Sequence, residues 1–142
     1  MGSFSQALTA SILNNYFKAS ETPVAKPAKI YLSLLTVVPT AASTGASVTE
    51  AVAATGYAKK EIAAAAMHAA VEGSTSSIEN ELEEIFAAII AGEATVIAWC
   101  LTDKAGAKEG NMLAWGTATS TVISSTQTPP TIKAGGLKLE LK

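Results

Sequence analysis

The sequence predicts a mostly β fold, a sandwich or barrel headed by one helix. Three observations carry that expectation. Short apolar runs rich in bulky and β-branched residues recur along the chain, Gly, Pro and Ser turns separate them, and the last segment alternates strictly between leucine and charged residues.

The helix comes first. Phe4, Leu8, Ile12 and Tyr16 recur every fourth residue as one apolar stripe, and Ser3 and Gln6 stand at capping-box spacing. A helix is therefore expected from Phe4 to Lys18, within an N-terminal unit of residues 1–20. Pro23 and Pro27 then end it, because proline lacks the amide that would continue the ladder and disfavours helical geometry in the residue before it. The β unit is expected over residues 28–142, the whole forming a single domain of 1–142.

Ile30 to Val38 (IYLSLLTVV) is bulky on both faces, the pattern of a central strand covered on two sides. Pro39 to Val48 is small and polar and reads as an exposed loop. Gly56-Tyr57 looks like a turn into a strand near Ala58 to Met67, although the run Ala63 to Ala66 favours helix. Between Ser77 and Ile90, Ile78, Leu82, Ile85, Phe86 and Ile89 fit a helical stripe, while Ile78, Leu82 and Phe86 also fit one face of a strand; propensity favours the helix.

Ala94 to Thr102 and Met112 to Thr119 read as strands joined by the polar turn Asp103 to Asn111, hence a hairpin. After Pro129-Pro130 and Gly135-Gly136, Leu137, Leu139 and Leu141 alternate with Lys138, Glu140 and Lys142, a strand with one wet face. The bulky residues of the best strands, Leu32, Leu34, Ile97, Trp99, Leu113, Leu137 and Leu139, should form the core.

Composition bounds the function. A chain of 142 residues suits one domain, and although 49% is hydrophobic only 6% is aromatic, so the core should be thin. Charged residues make up 15%, against a usual ~25%. The surface is then mostly Ser, Thr and Ala, which suits contact with other protein. Net charge is −2 and every basic residue is a lysine, which argues against nucleic acid. No apolar run reaches the ~18 residues that span a bilayer, and no signal peptide is visible. The one cysteine, Cys100, offers no intrachain disulfide, consistent with synthesis in a reducing cytoplasm.

The residues that could carry chemistry are few and scattered. His68 lies in AAMHAA with no ligand partner at metal spacing, and Asp103 stands alone in a Gly-rich turn. Cys100 sits in the apolar run AWCL and reads as a small buried hydrophobe. Glu79, Glu81, Glu83 and Glu84 lack the Asp, Asn and Gly positions of a calcium loop; on a strand, Glu79, Glu81 and Glu83 would share one solvated face. Lys59-Lys60 reads as two solvated charges beside a turn. The glycines form no phosphate-binding motif. The expectation is a non-enzyme with no catalytic residue, cofactor or metal.

The chain also resembles a known family. The segments are the helix FSQALTASILNNYF, the run KIYLSLLTVVPTAASTGASVTEAVAATGYA, the hairpin AWCLTDKAGAKEGNMLAWGTATSTVI and the end TIKAGGLKLELK. Together they resemble small virion proteins of tailed phages, labelled capsid-cement, head-decoration or tail-fibre proteins. The resemblance implies a jelly-roll-like β-sandwich with one N-terminal α-helix, and an extended Ser77 to Phe86. It further implies a homo-oligomer, dimer or trimer, that binds the major capsid protein on the capsid exterior at symmetry axes, without nucleic acid or membrane. The alternative is a tail-fibre or tail-tip adhesin component. The acidic run Glu79 to Glu84 and the alanine-rich Glu61 to Ala70 depart from the family pattern.

Overall fold

The computed structural model describes residues 2–18, 26–63, 66–71 and 76–141. Strand β1 (Gly2–Phe4) leads into helix α1 (Gln6–Phe17), and the rest is β: β2 (Ile30–Leu35), β3 (Lys60–Ile62), β4 (Ser76–Glu79), β5 (Glu84–Ile85), β6 (Glu93–Thr102), β7 (Met112–Ser124), β8 (Thr131–Ile132) and β9 (Lys138–Leu141). Seven strands form one curled sheet in the order β3-β2-β6-β7-β1-β9-β4, and β5 pairs with β8 separately. The architecture is mostly β with one N-terminal helix, consistent with a β-sandwich. The hairpin β6–β7 is its spine, with β2 antiparallel on β6 from Tyr31↔Thr102 to Leu35↔Ala98.

The start of the chain differs from the sequence expectation. Phe4 belongs to a strand, and the helix cap is Ser5, whose Oγ accepts the Leu8 amide at 3.1 Å. Ser5 is fully buried, and its own amide donates to the Leu113 carbonyl at 2.9 Å. Three residues of β1 thus run antiparallel to β7 (Gly2↔Gly116, Ser3↔Trp115, Phe4↔Ala114) and meet β9 in parallel at Gly2↔Leu139. Strand pairing to two neighbours outweighs helix propensity in residues that alternate around small side chains. Residues 19 and 20 of the expected N-terminal unit lie outside the described residues.

Both faces of the spine are covered, and a bulge decides which residue faces where. The register of β6 on β7 shifts between Val96 and Ala98. Before it, Ala94 and Val96 enter the main core with Leu32, Leu34, Phe86, Ile123, Leu137 and Leu139; after it, Trp99 and Leu101 do. One residue of β6 faces three of β7 between the pairs Val96↔Thr121 and Ala98↔Thr117, and across this irregularity the inward side chains change parity on both strands. Ala98 and Cys100 are thereby turned to a second cluster with Leu35, Val48 and Met112, closed by Trp115. Ile97, at the bulge, is only half-buried, as is Leu113; the other expected core residues are buried.

The second cluster also corrects the reading of Pro39 to Val48 as an exposed loop. Pro39, Gly45 and Val48 are buried, and the Gly45 amide donates to the Gly110 carbonyl at 3.0 Å, so the segment folds back over the outer face of β2 and β6. Of the strand expected near Ala58 to Met67, only Lys60–Ile62 forms, with residues 64 and 65 outside the described residues. The ambiguous Ser77 to Ile90 is not helical: β4 and β5 flank a bend at Glu81 and Leu82, just after Asn80, and residues 86–90 form neither helix nor strand.

Asn80 explains that bend. It is fully buried; its Nδ2 donates to the Leu82 carbonyl at 2.7 Å and the Lys133 carbonyl at 3.0 Å, while its Oδ1 accepts the Leu137 amide at 2.8 Å. The side chain thus adds to the backbone bonds of Asn80, whose amide donates to the Leu137 carbonyl and whose carbonyl accepts the Gly135 amide, in tying the end of β4 to the chain entering β9. Exchanging it for Asp would turn an acceptor toward two carbonyls, a change no rotation can repair.

The packing of Trp99 yields a direct test. A Cβ added at Gly116 would lie 2.6 Å from the Trp99 ring, and one at Gly2 would lie 2.7 Å from it. Gly116→Ala should therefore displace the ring and cost about 1–3 kcal/mol, and Trp99→Ala should cost about 3–5 kcal/mol. Chemical denaturation of both variants checks this; an unchanged Trp99→Ala midpoint would place the ring outside the core.

Candidate functional site

Polar side chains converge at the end of the spine where the β6–β7 turn folds against residues 50–59. Asp103 holds that turn: its Oδ1 accepts the Asn111 amide at 2.7 Å and its Oδ2 accepts Asn111 Nδ2 at 2.9 Å. Gly110 has a φ of +82°, and a Cβ there would strike Asp103 Oδ1, so the turn requires glycine at that position.

Beneath the turn lies a buried ion pair. The side chains of Lys59 and Glu50 are 1% and 0% exposed, with Nζ 3.6 Å from Oε1. Lys59 Nζ donates to Thr102 Oγ1 at 3.0 Å and to the carbonyls of Lys104 and Glu109, each at 3.2 Å. Glu50 Oε1 accepts the Lys108 amide at 2.8 Å, and Glu50 Oε2 accepts the Tyr57 hydroxyl at 3.4 Å. The Tyr57 hydroxyl in turn accepts the Leu34 amide at 2.9 Å. Burial, then the nearby Glu50 charge, pushes the Tyr57 hydroxyl well above its usual value.

Lys59 is thus not the solvated charge the sequence suggested. Nothing in the spacing of Lys59 from Glu50 announces the pair, because the two meet only when the segment between them turns back under the β6–β7 loop. The cluster is saturated: each ammonium proton has an acceptor in the chain itself, which suits a clamp better than a reacting group.

The groups weighed for chemistry do not come together with it as a reactive set. Cys100 is buried and its thiol is pushed up to about 11 by burial, so it is a poor nucleophile. His68 is exposed, its amide donating to the Glu79 carbonyl at 2.9 Å. The glutamates do not share one strand face: Glu79 lies opposite Lys138 in the sheet, Glu81 and Glu83 are exposed at the bend, and Glu84 is 4% exposed. Among the described residues no cluster of His, Cys, Asp and Glu could hold a metal ion, and no helix is long and apolar enough to cross a membrane.

Part of the accessible surface carries no charge. Residues Thr117 to Val122 of β7 are exposed in succession where the strand bulges away from β6. A cleft of about 380 Å³ opens beside them, walled by Trp99, Val96, Thr121 and Ile132. Helix α1, equally uncharged, buries none of its residues.

The family described as Podophage GP4 fiber I protein gp80 matches residues 3–140, nearly the entire chain. No curated protein matches it.

Two measurements test the polar cluster and the acidic bend. Lys59→Ala leaves Glu50 charged and unpaired in the interior, and should cost about 3–5 kcal/mol by urea denaturation. Burial raises the Glu84 carboxyl, with the Lys60 charge opposing. The folded state then keeps this proton to higher pH than the unfolded chain does, so its contribution is full in acid and lost as pH rises through the folded value. Glu84→Gln should raise the Tm at neutral pH and leave it unchanged in acid, where both side chains are neutral.

Proposed function

The chain belongs to the podophage GP4 fiber I protein gp80 family, and on that premise we propose that it is a non-enzymatic structural subunit of a phage fibre, built into the virion by protein contacts. The observation that carries the reading is the near full-length family match, whose description names a fibre protein. The molecule supports it in kind. The polar cluster around Lys59 and Glu50 is saturated internally, the thiol is buried, and the open surfaces on α1 and Thr117 to Val122 are uncharged. The partners are then other virion proteins and further copies of the chain.

The capsid-cement reading implies different bookkeeping of copies. A cement protein bound to the major capsid protein would cover the shell in many copies, whereas a fibre subunit would be confined to the tail region. Immunogold labelling of purified virions with antibody against the recombinant chain, combined with quantitative mass spectrometry, separates the two. The expected result is label at the tail apparatus with a copy number far below that of the capsid protein. Label spread over the shell at near-capsid abundance would overturn the fibre reading in favour of cement.

A further inference from the structure

Helix α1 leaves more apolar side chain uncovered than a helix of its length can sustain alone. On 3.6 residues per turn, Ile12, Leu13, Tyr16 and Phe17 fall within roughly 140° of arc. The opposite arc, with Leu8, Ser11 and Asn14, is the half-buried one that rests on the body. Tyr16 is 80% exposed and Phe17 83%. Isolated helices of twelve residues are marginal in water, and most helical stability in proteins comes from covering the apolar face. Here that face points outward.

A groove of about 430 Å³ runs along the other flank of the helix, toward the body, and it is polar in part, with Ser11, Asn15, Lys26 and Asp103 among its walls beside Leu8 and Met112. The uncharged, outward surface of the helix is therefore the face that carries Ile12, Leu13, Tyr16 and Phe17.

We propose that this face docks on the same face of a second copy of the chain. The two helices run antiparallel about a two-fold axis, with Ile12, Leu13, Tyr16 and Phe17 of each copy packed against the same four residues of the other. An isologous contact brings each residue close to its own counterpart or to the far end of the same patch, so any charge in it would meet a like charge. The helix sequence QALTASILNNYF contains no charged residue, which permits self-pairing and gives a charged partner nothing to recognise. The area is sufficient. Two aromatic and two aliphatic side chains expose roughly 500 Å² per copy, so the pair buries about 1,000 Å², the threshold of a specific interface. The contact is read from the helix alone and is independent of where in the virion the chain resides.

Sedimentation equilibrium of the purified full chain tests the contact. The expected result is a dimer whose Kd rises at least about 100-fold in Tyr16→Glu/Phe17→Glu, which sets charges against charges across the axis, with unchanged far-UV circular dichroism. In a Cys100→Ser background, Leu13→Cys should close an intermolecular disulfide on mild oxidation. Because Tyr16 and Phe17 project into solvent in the single copy, Tyr16→Ser/Phe17→Ser serves equally if the glutamate variant misfolds. A chain that stays monomeric, an association unmoved by these variants, a trimer, or a dimer without the Leu13 cross-link would each overturn the proposal. Virion labelling would be unaffected by any of these outcomes, so the fibre reading stands or falls separately.

Discussion

The seven-stranded sheet holds together through the contact of one tryptophan ring with two glycines. Trp99 of β6 lies over Gly116 of β7 and Gly2 of β1, so close that neither position has room for a Cβ. On one side of β1 stand β3, β2, β6 and β7, and on the other β9 and β4. Only three residues of β1 join the two groups, and a single register pair, Gly2↔Leu139, links β1 to β9. So short a strand would be a weak joint on backbone hydrogen bonds alone, each worth ~1 kcal/mol net. The ring adds apolar contact across β6, β7 and β1, and Leu139 packs against it from β9. In a core otherwise mostly aliphatic, the largest buried side chain among the described residues sits where the sheet is narrowest.

A second constraint acts at the end of the spine. A buried ion pair is weak evidence for stability, since desolvating two charges offsets their attraction. What Lys59 and Glu50 supply is specificity of arrangement: between them they bind the β6–β7 turn at Lys104, Lys108 and Glu109, strand β6 at Thr102, and through Tyr57 strand β2 at Leu34. An apolar pair could fill the same space but could not satisfy the carbonyls and amide of that turn. The polar cluster is what the fold requires once a loop with two glycines must lie flat on the body without apolar residues of its own.

Much of this fold was legible in the sequence because strands announce themselves by composition and period. Ile30 to Leu35, Glu93 to Thr102, Met112 onward and Lys138 to Leu141 follow patterns set by local burial. The misreadings share one cause, dependence on partners distant in sequence. Phe4 completes a plausible helical stripe and only its pairing with Ala114 makes it a strand. Lys59 looks solvated until Glu50 and the 104–109 carbonyls surround it. Asn80 reads as an ordinary polar residue, yet it bonds to a carbonyl 53 positions away. Propensity favoured helix over Ser77 to Ile90, and there the resemblance to phage proteins gave the non-helical conformation that periodicity could not. Chemistry-bearing residue types were legible as scattered, since so few are present.

The placement of charge connects the fold to assembly. Lysine and glutamate are gathered at the β6–β7 turn, at the bend near Glu81 and along β9, while α1 and the stretch from Met112 to Thr131 carry none. Surfaces without charge lose the solubilising and partner-rejecting effect that charges provide, and natural β proteins usually guard exposed strands with lysine or proline. Here the exposed part of β7 is guarded only by its bulge, which breaks the ladder at 118–120, and by the prolines at 129 and 130 that follow it. The bulge prevents indiscriminate edge pairing along β7 without adding charge, whereas α1 has no such guard. The two uncharged surfaces therefore differ in physical character: the strand resists template-like pairing, and the helix offers a face that only burial against another apolar surface can satisfy.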